Sequence, residues 1–131
     1  MGRVVHFEIY ADEPERAIRF YSDLFGWNFA KWSGPMEYWL VRTGSENQRG
    51  IDGGLMRRPG SPPVEGQCPN SFVCTVDVSD LDGEIAKLHS AGGALALPKM
   101  PVPGVGWLAY GKDTEGNLFG MMQIDPTAGL P

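Results

Sequence analysis

The chain has 131 residues, 42% of them hydrophobic, and a formal net charge of −5 from 16 acidic and 11 basic residues. That length suits one domain, or two small modules sharing a core, and the apolar content is too high for disorder. With no Lys/Arg stripe, no nucleic-acid partner is expected, and no apolar run nears the roughly 18 residues that would span a bilayer.

Residues 3–10 alternate, with Val5, Phe7 and Ile9 on one face and His6, Glu8 and Tyr10 on the other, which predicts a half-buried strand. Asp12 and Glu15 have the spacing of a capping box, with Pro14 in the first turn. Ala17, Ile18, Tyr21, Leu24 and Phe25 then recur at helical spacing, and Gly26 ends the helix. Strands are expected at 27–32, 36–43 and 51–57, the first turn being Ser33-Gly34-Pro35. Residues 58–70 hold four prolines and two glycines and read as a linker. Beyond it, Phe72, Cys74 and Val76 alternate with Val73, Thr75 and Asp77. Ser79 and Asp82 mark another helix start, with Leu81, Ile85 and Leu88 on its buried face and Gly92-Gly93 at its end. Strands are expected at 94–98, 105–112 and 118–124, with a loop at 100–106 and a turn at Thr114–Asn117.

The order therefore repeats. An offset of 67 carries His6 onto Val73, Glu13 onto Asp80, Ile18 onto Ile85 and Gly26 onto Gly93. Each half reads β-α-β-β-β, giving an α+β fold: module one at 1–57, the linker at 58–70 and module two at 71–125, within one domain over 1–131. The helices are expected to cover one strand face and the other face to line a cavity. Period two then puts His6, Glu8 and Tyr10 on the cavity side, and a one-residue slip would invert that. Two cysteines, Cys68 and Cys74, make no disulfide framework and read as reduced thiols. The N-terminus enters a strand with no signal-peptide pattern, so a cytoplasmic setting is expected.

The strings HFEIYADEPERAIRFYSDLFGW (6–27) and KDTEGNLFGMMQ (112–123) resemble the glyoxalase/bleomycin-resistance/dioxygenase superfamily, also called vicinal oxygen chelate proteins. More narrowly, the chain is similar to predicted enzymes related to lactoylglutathione lyase. The resemblance implies βαβββ modules in a pseudo-twofold arrangement around an open, barrel-like cleft, a small-molecule ligand and a homodimer. Metal-dependent members hold a divalent ion with His and Glu, which polarises substrate oxygens. His6 matches the first ligand position. Val73 and Gly120 stand where a His and a Glu would be expected, and Gly53-Gly54-Leu55-Met56 supplies no carboxylate. The usual metal site is therefore expected to be absent, and no cofactor is expected.

His6 is the foremost candidate for ligand binding or proton transfer; the plainer reading is a histidine hydrogen-bonded within the cavity wall. Glu8 could act as a base if its pKa is raised, or form a salt bridge with Arg42 or Arg57. Tyr10, Trp39, Trp107 and Met122 could line an apolar or aromatic ligand pocket, with Gly120 leaving space beside them. The Asp77, Asp80 and Asp82 cluster reads as a strand end and helix cap, and His89 as a surface residue. Three functions compete: a metal-free binder, a metal-free lyase or isomerase using Glu8 or His6, and a metal-dependent glyoxalase or extradiol dioxygenase-like enzyme. In the last, Glu8, Asp52 or Asp77 would join His6 as relocated ligands.

Overall fold

The computed structural model describes residues 2–67, 70 and 72–131. It has a mixed α+β fold, with eight strands and two helices among the described residues. His6–Phe72 forms one compact unit; the N-terminal residues through Val5 join Val73–Pro131 in the other.

The first unit takes its elements in the order β1 (Val4–Ala11, of which it holds the residues from His6), α1 (Pro14–Phe25), β2 (Asn28–Lys31), β3 (Trp39–Arg42) and β4 (Gly53–Arg57). Its strands lie in the order β2-β3-β4-β1. Strand β4 runs parallel to β1 and antiparallel to β3. The expected alternation holds: Phe7, Ile9 and Ala11 are buried with Val41 and Leu55, and Ala17, Ile18 and Tyr21 of α1 pack against them. His6, Glu8 and Tyr10 therefore take the opposite face. Both β2 and β3 are shorter than their hydrophobic runs. Met36, Glu37 and Tyr38 precede β3, held at the hairpin by the bond from Trp32 N to Tyr38 O, 2.8 Å.

Helix α1 departs from the expected start. Its N-cap is Glu13, which makes no side-chain cap bond. The Asp12 carboxylate instead receives Arg58 Nε at 3.0 Å, an interaction from a distant residue that no local pattern could announce. The far end is as expected: Gly26 is left-handed, φ 73°, and donates its N–H to Ser22 O at 2.9 Å. An added Cβ there would meet no atom within 4 Å. Gly26→Ala should therefore cost only backbone strain, about 1 kcal/mol, read as a lowered urea midpoint with unchanged slope.

The second unit repeats the plan with β5 (Val73–Asp77), α2 (Leu81–Ser90), β6 (Ala94–Val102), β7 (Gly106–Lys112) and β8 (Leu118–Ile124), the strands ordered β5-β8-β7-β6. The pairing of Glu8 with Gly54 in the first unit has its counterpart in Thr75 with Gly120. Leu81, Ala109 and Met121 form the core, with Ile85 and Leu88 of α2 against it. Asp80 caps α2 through Gly83 N, 3.2 Å, while Asp77 accepts Arg3 N and Asp82 pairs with Lys99. The aspartate cluster thus closes a strand and a helix, and His89 is exposed.

One expected loop is a strand in its first half: β6 runs on to Val102 through Pro98 and Pro101. It ends the strand order and shifts register twice, which is where a chain lacking N–H donors can still pair. Between β7 and β8, Asp113 Oδ1 accepts the N–H groups of Glu115 and Asn117 at 2.8 and 2.9 Å. These donors, Asn117 first, hold its carboxyl below the usual range. Cys74 is a free thiol; Cys68 lies outside the described residues. No helix among the described residues is long and apolar enough to cross a membrane.

Candidate functional site

On the face of β1 away from α1, three polar side chains of the first unit form one hydrogen-bonded chain. His6 Nε2 lies 2.8 Å from Tyr38 Oη. Tyr38 Oη donates to Glu8 Oε2 at 3.3 Å. Glu8 is only 7% exposed. Period two supplies His6 and Glu8, but Tyr38 arrives from the β2–β3 hairpin. There the Trp32 ring meets it edge-on, with centroids 6.1 Å apart at 75°. Gly54 makes the approach possible: a Cβ on it would fall on the Tyr38 phenol. Glycine inside a strand marks such close contact.

A phenol has one proton. Since Tyr38 donates it to Glu8, the hydroxyl accepts from His6, so Nε2 carries the imidazole hydrogen and Nδ1 is an acceptor. His6 Nδ1 has no partner in the hydrogen bonds among the described residues, where no buried side-chain nitrogen or oxygen is left unpaired, so Nδ1 is not wholly sealed from solvent. Burial holds the His6 pKa below its ordinary value, opposed by the charges of Glu8 and Asp52. The ring is therefore neutral near pH 7. Burial, then the Glu8 charge and hydrogen bond, push the Tyr38 hydroxyl far above the usual phenol range, and Tyr10 adds to this. Tyr38 stays a proton donor at any working pH.

Residues 3–121 match the family model of the Glyoxalase/Bleomycin resistance protein/Dioxygenase superfamily. The chain belongs to this superfamily. It is 27% identical over 127 residues to "Putative glyoxylase CFP32" of Mycobacterium bovis and of Mycobacterium tuberculosis, covering 95% of this chain. It spans less than half, 45%, of those longer curated relatives. Among solved structures, methylmalonyl-CoA epimerase from Mycobacterium tuberculosis superposes with a TM-score of 0.67 at 18% identity, over 94% of this chain and 88% of that one. A superfamily member from Vibrio splendidus 12B01 gives 0.60 at 17% identity, over 95% of this chain and 100% of that one. At these identities the structures show a shared fold.

The residues present do not fit the metal cage that such a family implies. Among the described residues no group of three or more His, Cys, Asp or Glu side chains converges to hold an ion. His6 Nε2 and a Glu8 oxygen are both bonded to the Tyr38 hydroxyl. Gly54 and Gly120, the β4 and β8 partners of Glu8 and Thr75, have no side-chain donor atom, and neither has Val73.

Of the other residues expected at the site, Tyr10 lies on the His6 and Glu8 face and near Tyr38. Trp39 does not: it packs with Phe7, Ile9 and Leu55 on the helix side, Lys31 Nζ 5.5 Å from its ring centre. Trp107 likewise packs with Leu81, Ala109 and Met121, its Nε1 donating to Asp125 Oδ2 at 3.0 Å. In β8, Met122 lies against Gly106. The space expected beside Gly120 is taken, since an added Cβ would stand 2.9 Å from Thr75 Oγ1 and 3.3 Å from Tyr110 Cε1. Arg57 pairs with Glu37, 3.1 Å, rather than with Glu8. The residue that the pattern missed as a bridge is Tyr38, and its signal was the Gly53-Gly54 pair inside a predicted strand.

Proposed function

We propose that this superfamily member binds a small, partly apolar organic molecule without a metal ion, anchoring its polar end on His6. The observation that carries this reading is the Tyr38 hydroxyl, which occupies both His6 Nε2 and a Glu8 oxygen. What is left for a ligand is the open Nδ1 acceptor, with Tyr10 and half-exposed Leu40 as nearby apolar surface. Leu40 pairs with Gly54 and so shares its face. The reading includes a cytoplasmic setting and a homodimer, an assembly common among superfamily members.

A thermal-shift screen tests it. Ligands that stabilise the protein and lose that effect in His6→Ala support it; a broad screen with no His6-dependent ligand overturns it. Metal removal is a second check. Dialysis against a chelator should leave ligand stabilisation unchanged, and elemental analysis should find metal well below one ion per chain. Stoichiometric metal with chelator-sensitive binding would favour relocated ligands at Glu8, Asp52 or Asp77 instead.

Proton transfer is the second reading, favoured by the neutral imidazole. If Nδ1 removes a proton from a bound acid, the positive ring stays bonded through Nε2–H to Tyr38, and the Glu8 carboxylate one hydroxyl away offsets the charge. Glu8→Gln keeps the shape and removes that charge. Ligand binding retained with turnover lost would identify a lyase- or isomerase-type enzyme, whereas a wild-type protein without turnover on any ligand found is a binder.

A further inference from the structure

We propose that the polar hollow walled by the segment from Arg42 to Asp52 holds a carboxylate or phosphate group of the ligand whose other end meets His6. This deepens the reading of the His6 site and rests on it. The hollow has a volume of about 140 Å³, and Arg42, Thr43, Ser45, Gln48, Arg49 and Asp52 contribute to its lining.

Its place in the sheet is the first argument. Phe7 pairs with Gly53, and Gly53 with Val41. The residues one step away, His6, Asp52 and Arg42, therefore fall in a row across β1, the start of β4 and β3. Alternation puts Arg42 on the face of Leu40 and Gly54, which is the face of Tyr38 and Glu8. Adjacent strands are about 4.8 Å apart, so the Arg42 backbone stands about 10 Å from that of His6. A small molecule can reach from the imidazole to the guanidinium.

Charge is the second. Neither Arg42 nor Arg49 has a carboxylate in ion-pair range among the described residues; Arg3 and Arg19 share that, so Arg42 is singled out by its place in the His6 row, while Arg16, Arg57 and Arg58 are all paired. The nearest acid in the row, Asp52, is engaged at Oδ1 by Thr43 N, 2.8 Å. Glu46 also borders the hollow, so the anion is expected to seat on the guanidinium of Arg42, whose fork matches two oxygens.

Preorganisation is the third. The loop bonds to itself: Ser45 N donates to Gln48 Oε1 at 2.8 Å, Gln48 N to Ser45 O at 3.1 Å, and Thr43 Oγ1 to Ile51 O at 2.6 Å. A rim already fixed by its own bonds loses little freedom when an anion enters.

The test is a backbone-amide NMR titration of the full chain with inorganic phosphate and, separately, malonate. Saturable shifts at Thr43, Ser45 and Gly50 are expected, with a Kd on the order of millimolar. Arg42→Gln should weaken binding about tenfold. Arg19→Gln, an equal charge change on α1 and outside the hollow, should not. The anion that saturates at lower concentration tells phosphate from carboxylate. No saturable shift with either anion, or equal binding by Arg42→Gln, overturns the inference. A His6-dependent ligand that is uncharged and indifferent to Arg42→Gln would also overturn it, leaving the His6 reading intact. Arg42-dependent anion binding without any His6-dependent ligand supports the hollow and removes its link to His6.

Discussion

Tyr38→Phe should abolish ligand stabilisation at His6 and lower folding stability by about 2 kcal/mol. One hydroxyl serves two buried or half-buried groups. Its loss takes a donor from Glu8 and an acceptor from His6 Nε2–H while keeping the ring that packs against Trp32. Leaving buried polar groups short of a partner costs more than a typical hydrogen bond contributes. The imidazole also loses the bond that fixes its tautomer, so the acceptor at Nδ1 is no longer assured. Urea unfolding measures the first effect and thermal shift the second. Wild-type ligand stabilisation in Tyr38→Phe would show that the phenol only fills space.

The same site sets a pH dependence. Burial holds the folded His6 pKa below its unfolded value of 6.5. In the window between them the unfolded chain binds more protons, so stability rises with pH. His6's contribution is fully present above pH 6.5 and is lost as pH falls toward the folded pKa. Tyr38 stays protonated throughout and adds no slope. A melting temperature that falls from pH 7.5 to 5.5, and falls less in His6→Gln, is the expected result.

The duplicated plan was legible because alternation and helical spacing are local, and each half carries both. Period two placed Phe7 and Ile9 inward and His6 and Glu8 opposite without any register error. Where two distant segments compete for one group, local pattern failed. Asp12 reads as a helix cap until Arg58 takes its carboxylate. Trp39 and Trp107 read as pocket aromatics because ring size carries no face; the pairings of Trp39 with Leu55 and of Ala109 with Met121 put both beside the helix-side cores. Tyr38 is expected inside a strand at 36–43 but lies just before β3, and alternation along one strand does not say which side chain of another it will meet.

The glycine pair of β4 separates folding from the site. A Cβ on Gly53 would strike the Phe7 carbonyl and stand 2.6 Å from the Phe7 ring. That ring is buried, stacked 5.4 Å from Phe72 and 6.0 Å from Trp27, and the carbonyl belongs to the strand paired with β4. Neither can yield, so Gly53→Ala should cost about 3 kcal/mol. The atoms nearest to a Cβ on Gly54 belong to the far end of Tyr38, which can swing away at the price of its two hydrogen bonds. Gly54→Ala should therefore reproduce Tyr38→Phe: about 2 kcal/mol lost and His6-dependent binding gone. The two are separable in a Tyr38→Ala background. There Gly54→Ala should cost less than about 0.5 kcal/mol, because its nearest obstacle has been removed, while Gly53→Ala should cost as much as before. An undiminished cost for Gly54→Ala in that background would mean that the phenol does not rest on Gly54, and the hydrogen-bonded chain from His6 to Glu8 would lose its support.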